Sequence, residues 1–224
     1  GDVKVSLSFA KRSEVAKVGI STVSIQNARE NLANDTNTSF DFNNFAKQAH
    51  DNWNKALSII DITDKSEDNK KIFYTALYHS MVVPNVTSDA NGKYRTIKSK
   101  SCSLSDGNKT YSTISFWDTF RAWFPFASLT NTTLLKDIVN SCLIHYDVFG
   151  ELPIWPLSNG ETGCMIGYHS AAVIAEAYLK GIRGFDTEKA LQAMIATANT
   201  HRKGLDYYVK NGFIPQNVKR ESVS

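Results

Sequence analysis

The sequence has little of what several functional classes require. Only three of its 224 residues are cysteines, and Cys102, Cys142 and Cys164 fit neither a metal-binding spacing nor a small disulfide framework. The net charge is only +3, with lysine and arginine spread along the chain, so a nucleic-acid partner is not indicated. The longest apolar run, residues 171–179, is interrupted by Glu176 and is far shorter than the roughly 18 residues of a membrane span.

The composition is that of a globular protein, and we expect the chain to be a piece of a longer polypeptide. Its 224 residues suffice for one large domain, and 42% hydrophobic with 21% charged residues is ordinary. Residues 1–13 lack the apolar core of a signal peptide and begin in the middle of a predicted strand. The last residues, KRESVS, carry no helix cap.

Two short strands are predicted at the N-terminus, ahead of a helix. Residues 3–9 alternate apolar and polar side chains, and residues 15–25 are rich in β-branched ones. Because two strands alone are not stable in water, residues 1–25 either end a preceding β-domain or pack on the helices. Ser24 then caps a short helix, which is followed by a polar linker at residues 34–39.

Helical spacing of apolar residues dominates the rest of the chain. It predicts helices over residues 42–60, 70–83, 115–129, 132–149, 164–181, 186–200 and 201–212. Residues 90–97 and 108–115 predict two strands joined by a turn at Ser105–Gly107. Helical hairpins with unusual residues at alternate joints are typical of an α/α toroid, and no fixed repeat suggests a solenoid. The predicted fold is mainly α, the first part of a toroid after a short β segment.

The most informative stretch is GELPIWPLSNGETGCMIGYHS, residues 150–170. Two prolines and two glycines exclude a helix over its first two thirds, so Glu151, Trp155 and Glu161 lie on a loop between helices. Carboxylates bind sugar hydroxyls or transfer protons, and an indole packs on the apolar face of a pyranose. The pattern predicts a sugar site, although a well-ordered connector around a buried tryptophan fits it equally well.

A second candidate lies at the predicted helix start in SFWDTFRAWFPFASL, residues 115–129. Ser115 can cap this helix, which places Trp117 and Asp118 in its first turn. Arg121 follows Asp118 by three residues, so we expect an ion pair that keeps Asp118 ionised beside a pocket. The alternative is an ordinary acid at a helix N-terminus with a surface ion pair.

The residues alone leave more than one function open. Asp118 and Glu161 are the two carboxylates that could act as acid and base of a glycosidase. A non-catalytic carbohydrate-binding or scaffold fragment would use the same side chains without turnover. A helical protein-interaction module is disfavoured, because the unusual residues lie in loops rather than on a helix face.

Six segments, taken together, form a recognisable set. They are KVGISTVSIQNARENL, the Phe73–Pro84 run that begins FYTALYHS, YSTISFWDTFRAWFPF, GELPIWPL, NGETGCMIGYHSAAVIAEAYLKGIRGFD and KRESVS. In this order, and over nearly the whole chain, they resemble the exo-α-mannosidases of glycoside hydrolase family 92. SFWDTFR and ETGCMIGYH are the most characteristic members of the set.

The resemblance implies an N-terminal β-sandwich followed by an (α/α)6 catalytic barrel. Such enzymes need Ca²⁺ and remove terminal α-mannose from N-glycans or mannans with inversion at the anomeric carbon. Residues 1–25 would end the sandwich, residues 26–40 would form a linker helix and loop, and residues 41–224 would form the first half of the barrel. A mannose-containing glycan and the remaining half of the polypeptide are the implied partners, and a periplasmic or secreted location is expected.

The same resemblance implies roles for individual residues. Trp117 and Asp118 match the WDTFR motif and are expected to line the mannose subsite. Glu161 and His169 match ETGCMIGYH and are expected to bind substrate or to brace the barrel. Supporting roles fall to two further residues, Arg121 and Trp155.

No catalytic acid and no metal ligand is expected within this chain. The paired-acid GNDD segment and the EGN segment of the family are absent from the sequence. The general acid, the general base and most calcium ligands are therefore expected in the remaining half. The isolated chain is expected to be inactive, with apolar helix faces exposed where the other helices would pack.

Overall fold

The computed structural model describes residues 4–10, 15–36, 41–98, 101–104, 107–202 and 204–219. In this part of the chain the fold is mainly α, as predicted, and the helices do not close into a barrel. The helices are α1 (Ile25–Thr36), α2 (Phe42–Leu57), α3 (Glu67–Ser80), α4 (Phe116–Thr119), α5 (Trp123–Thr130), α6 (Thr132–Phe149), α7 (Ser170–Leu179), α8 (Thr187–Ala198) and α9 (Leu205–Asn211). None of these helices is long and apolar enough to cross a membrane.

Within the described part of the chain, six short strands form three antiparallel ribbons. The pairs are β1 (Asn85–Val86) with β4 (Tyr111–Ser112), β2 (Lys93–Tyr94) with β3 (Cys102–Ser103), and β5 (Pro156–Leu157) with β6 (Gly160–Glu161). The third ribbon lies in the loop between α6 and α7, so it shapes the region that the sequence singles out.

Helix α6 forms the centre of the core. Its apolar side chains pack against α5, α7 and α8, and most of them are buried, as helical spacing predicts for Ile138 and Cys142. Phe116 and Phe124 stack in parallel beside it, with ring centroids 5.4 Å apart. This packing fixes the start of α4 and both ends of the α6–α7 loop relative to one another.

Side-chain caps start several of the helices. The Asn131 side chain accepts a hydrogen bond from Leu134 N–H at the start of α6 (3.0 Å), and Asp186 does the same for Lys189 at α8 (3.0 Å). Ser24 caps α1, and Asp41 caps α2. Each such bond satisfies an N–H that has no partner in the helix and stabilises it by about 1 kcal/mol.

A buried carboxylate attaches α1 to the β1–β2 connection. Asp89 accepts hydrogen bonds from the Ser21 hydroxyl (2.7 Å), the Asn27 amide (2.6 Å) and the Asn31 amide (2.7 Å). A buried carboxylate is tolerated only when donors surround it. Because all three donors belong to α1 or to the segment before it, this network fixes how the N-terminal segment enters the helical body.

The two N-terminal strands are not formed. The described residues 4–10 and 15–20 have no regular secondary structure, and the side chains of Val5, Leu7 and Phe9 are 76%, 71% and 59% exposed. A strand requires a neighbour that shares its backbone hydrogen bonds, and the described part of this chain supplies none. That residues 1–25 belong to a preceding β-domain stays a prediction; Val3 lies outside the described residues.

The predicted hairpin of residues 90–97 and 108–115 is wrong in its pairing. Each segment contains a strand, but β2 pairs with β3 and β4 pairs with β1. The Thr87 N–H donates to the Thr110 carbonyl (2.8 Å), which extends the β1–β4 pairing and leaves β4 unavailable to β2. Ser105 of the predicted turn lies outside the described residues.

Helix boundaries differ most where glycine and methionine adopt a positive φ. The helix predicted from Cys164 begins only at Ser170, because Met165 (φ 69°) and Gly167 (φ 71°) leave the helical region of backbone space. The linker predicted at residues 34–39 begins later than expected, since α1 continues to Thr36, and residues 37–40 lie outside the described part.

Candidate functional site

The loop between α6 and α7 is built around the carboxylate of Glu161. Its two oxygens accept hydrogen bonds from the N–H groups of Ile154 (2.9 Å), Trp155 (2.9 Å) and Gly163 (2.8 Å). The β5–β6 ribbon turns the chain back, so that Glu161 faces the segment that precedes it. Bonds to an ionised acceptor are the stronger kind, so this one side chain holds the loop on both sides of the turn.

The imidazole of His145, on α6, lies next to the Glu161 carboxylate. The Nδ1 atom of His145 lies 3.0 Å from the Glu151 carbonyl oxygen, which can only accept, so Nδ1 carries the proton. The Nε2 atom then faces Glu161 Oε2 at 3.5 Å. Burial lowers the pKa of the His145 imidazole, against the opposing effects of the Glu151 hydrogen bond and the Glu161 charge.

The start of the loop is attached to the connection between α8 and α9. The Glu151 carboxylate forms an ion pair with Arg202, and the Leu152 N–H donates to the Thr197 hydroxyl (2.8 Å). Glu151 therefore does not project freely as the sugar-binding acid that the sequence suggests. It joins the loop to the next helical pair.

Trp117 and Asp118 lie in the four-residue helix α4. Phe116 is completely buried and fixes this turn in the core, while Trp117 is partly buried and Asp118 is exposed. The predicted Ser115 cap is wrong, because the Ser115 hydroxyl donates to the Asp118 carboxylate instead of accepting from a backbone N–H. The bond steadies the exposed carboxylate.

The predicted ion pair between Arg121 and Asp118 is also wrong. The guanidinium carbon of Arg121 lies 5.4 Å from the ring centroids of both Trp117 and Phe120, a cation–π arrangement. The reason is geometric: α4 ends at Thr119, so Arg121 does not occupy the helical position three residues after Asp118.

His169 brings the second motif to this cluster. Its ring lies 5.1 Å from that of Trp117 and stacks on Phe120 at 4.2 Å, with only 5° between the planes. Burial, and then the Arg121 guanidinium, lower the pKa of the His169 imidazole. The structure thus joins Trp117, Asp118, Arg121 and His169 in one cluster, whereas Glu161 and Trp155 belong to the hydrogen-bonded loop.

The carboxylates, imidazoles and thiols of the described residues form no cluster of metal ligands. Among them, no group of three or more histidine, cysteine, aspartate or glutamate side chains is arranged to hold a metal ion. Calcium takes six to eight oxygen ligands, and the oxygens of Glu161 already accept backbone N–H groups. The described residues therefore offer no carboxylate-rich site for calcium.

Comparison with known proteins decides the family. The model of the glycosyl hydrolase family 92 catalytic domain matches residues 27–224. The chain belongs to this family. Its resemblance in the SFWDTFR and ETGCMIGYH motifs is thereby confirmed, and its helical architecture is similar to the α/α barrel of family 92. Among curated proteins, none matches the chain.

Two solved family 92 structures are similar to it. An α-mannosidase from Bacteroides thetaiotaomicron, in complex with mannoimidazole, is 35% identical with a TM-score of 0.81, over 90% of this chain and 26% of that one. An inverting mannosidase from strain VPI-5482 of the same organism is 29% identical with a TM-score of 0.75, over 87% of this chain and 27% of that one. The chain thus spans about a quarter of the length of these relatives.

Sequence reasoning missed three residues that complete these family 92 clusters. Phe120 follows Trp117 by three residues, a helical spacing that could have indicated a shared face. His145 faces Glu161 only because the ribbon folds back over α6, and Arg202 meets Glu151 only through the packing of α8. Neither of these contacts has a signal in the local sequence.

Proposed function

We propose that this chain is part of an exo-α-mannosidase that removes terminal α-mannose from N-glycans or mannans. The observation that carries the proposal is the match to the family 92 catalytic domain over residues 27–224. The similarity to an α-mannosidase crystallised with mannoimidazole supports mannose as the substrate sugar. A periplasmic or secreted location is part of the same proposal.

The Trp117–Asp118 pair is the proposed substrate-binding element. An indole that is only partly buried can pack on the apolar face of a pyranose, and the exposed carboxylate next to it can accept sugar hydroxyls. The Ser115 hydroxyl donates to Asp118 Oδ2. Among the described residues, the other carboxylate oxygen, Oδ1, can therefore accept a hydrogen bond from a sugar hydroxyl. The Arg121 guanidinium lies over the rings of Trp117 and Phe120 and packs against the indole that is proposed to bind the sugar.

The catalytic acids are proposed to lie in the remaining half of the polypeptide. An inverting glycosidase needs a general acid and a general base about 6.5–9.5 Å apart, with space for a water molecule. Glu161 is a poor candidate for either role, since three backbone N–H groups bind its oxygens. Calcium ligands are proposed to lie in that half too, and no step is assigned to a metal in this chain.

An intact mass and a mannose-release assay test this proposal together. We expect the natural polypeptide to exceed the calculated 24.9 kDa and to release mannose from an α-linked mannobiose, with chelator abolishing the release. Absence of release by the full-length polypeptide would contradict the proposed activity. Turnover by a 24.9 kDa species would contradict the placement of the acids and return Asp118 and Glu161 to that role.

A non-catalytic sugar-binding fragment is the second candidate. The observation in its favour is that the loop backbone engages the Glu161 carboxylate, which leaves no acid–base pair between Asp118 and Glu161. It predicts that the 24.9 kDa chain binds mannose and that a full-length polypeptide shows no turnover. Mannose release by the full-length polypeptide, together with mannose binding by the 24.9 kDa chain, separates the two candidates.

A further inference from the structure

The imidazole of His169 packs between two segments that are distant in the sequence. His169 directly precedes α7, and its side chain does not cap that helix. Its ring instead stacks on Phe120 at 4.2 Å and lies against Trp117 at 5.1 Å. Aromatic pairs at such separations contribute orientation as well as buried area. The start of α7 is thereby attached to the end of α4 through one side chain.

The loop closes on His169 from the other side. A Cβ atom at Gly167 would lie only 2.7 Å from His169 Nε2, and Gly167 has φ 71°, which other residues rarely adopt. The backbone therefore approaches the imidazole as closely as a glycine permits. Nε2 is buried and has no hydrogen-bond partner in the described part of the chain, so it is shielded from a ligand in solvent.

The charges around the ring favour the same packing. The Arg121 guanidinium lies over the Trp117 and Phe120 rings, with its central carbon 5.4 Å from each centroid. Burial and this cation both lower the pKa of His169, so the neutral imidazole is favoured. A neutral ring stacks on Phe120 without placing a second positive charge beside Arg121.

We propose that His169 is a positioning residue, whose ring holds Trp117, and with it Asp118, in the orientation that binds the sugar. This inference rests on the proposed function, and it assigns to His169 packing rather than a hydrogen bond to the substrate. Trp117 has to present one face of its indole, and a ring in contact with it restricts the rotation of that indole. A small displacement of a side chain that positions the substrate can lower kcat/KM by orders of magnitude.

Two substitutions in the full-length polypeptide distinguish packing from hydrogen bonding. His169→Phe keeps an aromatic ring without nitrogen, and His169→Gln keeps polar atoms without a ring. We expect His169→Gln to lower kcat/KM roughly tenfold to hundredfold, mainly by raising KM, and His169→Phe to lower it by only about threefold. A loss of folded enzyme would instead lower kcat and leave KM unchanged. A larger fall in kcat/KM for His169→Phe than for His169→Gln would overturn the inference. So would equal increases in KM for the two variants.

A spectroscopic measurement tests the contact without activity. We expect His169→Gln to change the near-ultraviolet circular dichroism of the tryptophans, and Trp117→Phe to abolish this difference. The matched control is His201→Gln, an exposed histidine between α8 and α9, which should change neither readout. A spectrum unaffected by His169→Gln would overturn the inference. Failure of the wild type to release mannose would contradict only the proposed function.

Discussion

A single carboxylate, that of Glu161, has more partners than any other group in the α6–α7 loop. Three backbone N–H groups, those of Ile154, Trp155 and Gly163, donate to it. A hydrogen bond to a charged group stabilises a protein by about 1.5–3 kcal/mol, and a buried N–H left without an acceptor costs a comparable amount. The residue that the sequence marks as a possible sugar ligand is thus also a structural one.

Replacing this carboxylate by its amide should destabilise the protein. Glu161→Gln keeps the shape but turns an NH₂ group toward N–H donors, so we expect a loss of about 1–3 kcal/mol in the free energy of unfolding. Denaturant unfolding of the full-length polypeptide measures the change. The matched control is Glu188→Gln, at an exposed position in the first turn of α8, with an expected change within about 0.5 kcal/mol. Equal effects of the two substitutions would show that the loop does not depend on Glu161.

Residue types were more predictable than their partners. The SFWDTFR and ETGCMIGYH motifs, through their resemblance to family 92, indicate Trp117, Asp118, Glu161 and His169, and the Pro/Gly-rich loop independently marks Glu161. The sequence does not indicate that Arg121 turns to the aromatic rings rather than to Asp118. That outcome depends on where a helix of four residues ends, which local propensity does not determine.

Among the secondary-structure elements, helix starts that depend on neighbouring residues were predicted correctly, whereas strand pairings that depend on distant residues were not. The starts of α6 and α8 follow from Asn131 and Asp186, because a cap acts within three residues. The pairing of β4 with β1 instead depends on contacts across the chain, and the N-terminal strands depend on a partner. The start of α7 depends on backbone conformations that the residue types only permit.

Helix α8 and the loop share one hydroxyl, and its removal should be costly. Thr197 Oγ1 accepts from Leu152 N–H (2.8 Å) and donates to the Ala193 carbonyl (2.7 Å). Thr197→Val conserves the volume but leaves the buried N–H unpaired, so we expect a destabilisation of about 1–3 kcal/mol. The loss of stability is measured by thermal unfolding of the full-length polypeptide. Thr130→Val, whose hydroxyl bonds only a carbonyl of its own helix, is the control and should have a smaller effect.

Taken as a whole, the molecule exposes many apolar side chains. Leu179 on α7 and Ile195 on α8 are 82% and 55% exposed, although both helices also carry buried residues. Val209, on α9, is 72% exposed. Isolated domains rarely leave so many large apolar groups in water. This is consistent with a chain that spans about a quarter of its solved relatives and is proposed to pack against further helices.

The 24.9 kDa chain, prepared alone, should therefore not behave as an ordinary domain. We expect it to self-associate or to unfold without a cooperative transition, because exposed apolar side chains favour association with other molecules. Sedimentation velocity and calorimetry measure these properties, with the full-length polypeptide as the control. A monomer with a single cooperative transition would contradict the half-barrel interpretation of residues 41–224.

The Glu161 hydrogen bonds also bear on the order in which the chain can fold. They join residues at most seven positions apart, whereas the contact of Trp117 with His169 closes a segment of roughly fifty residues. For a flexible chain the longer closure costs about 2 kcal/mol more in entropy. The loop can thus close from its own residues soon after synthesis, whereas the contact between Trp117 and His169 forms only when α4 and α7 have docked.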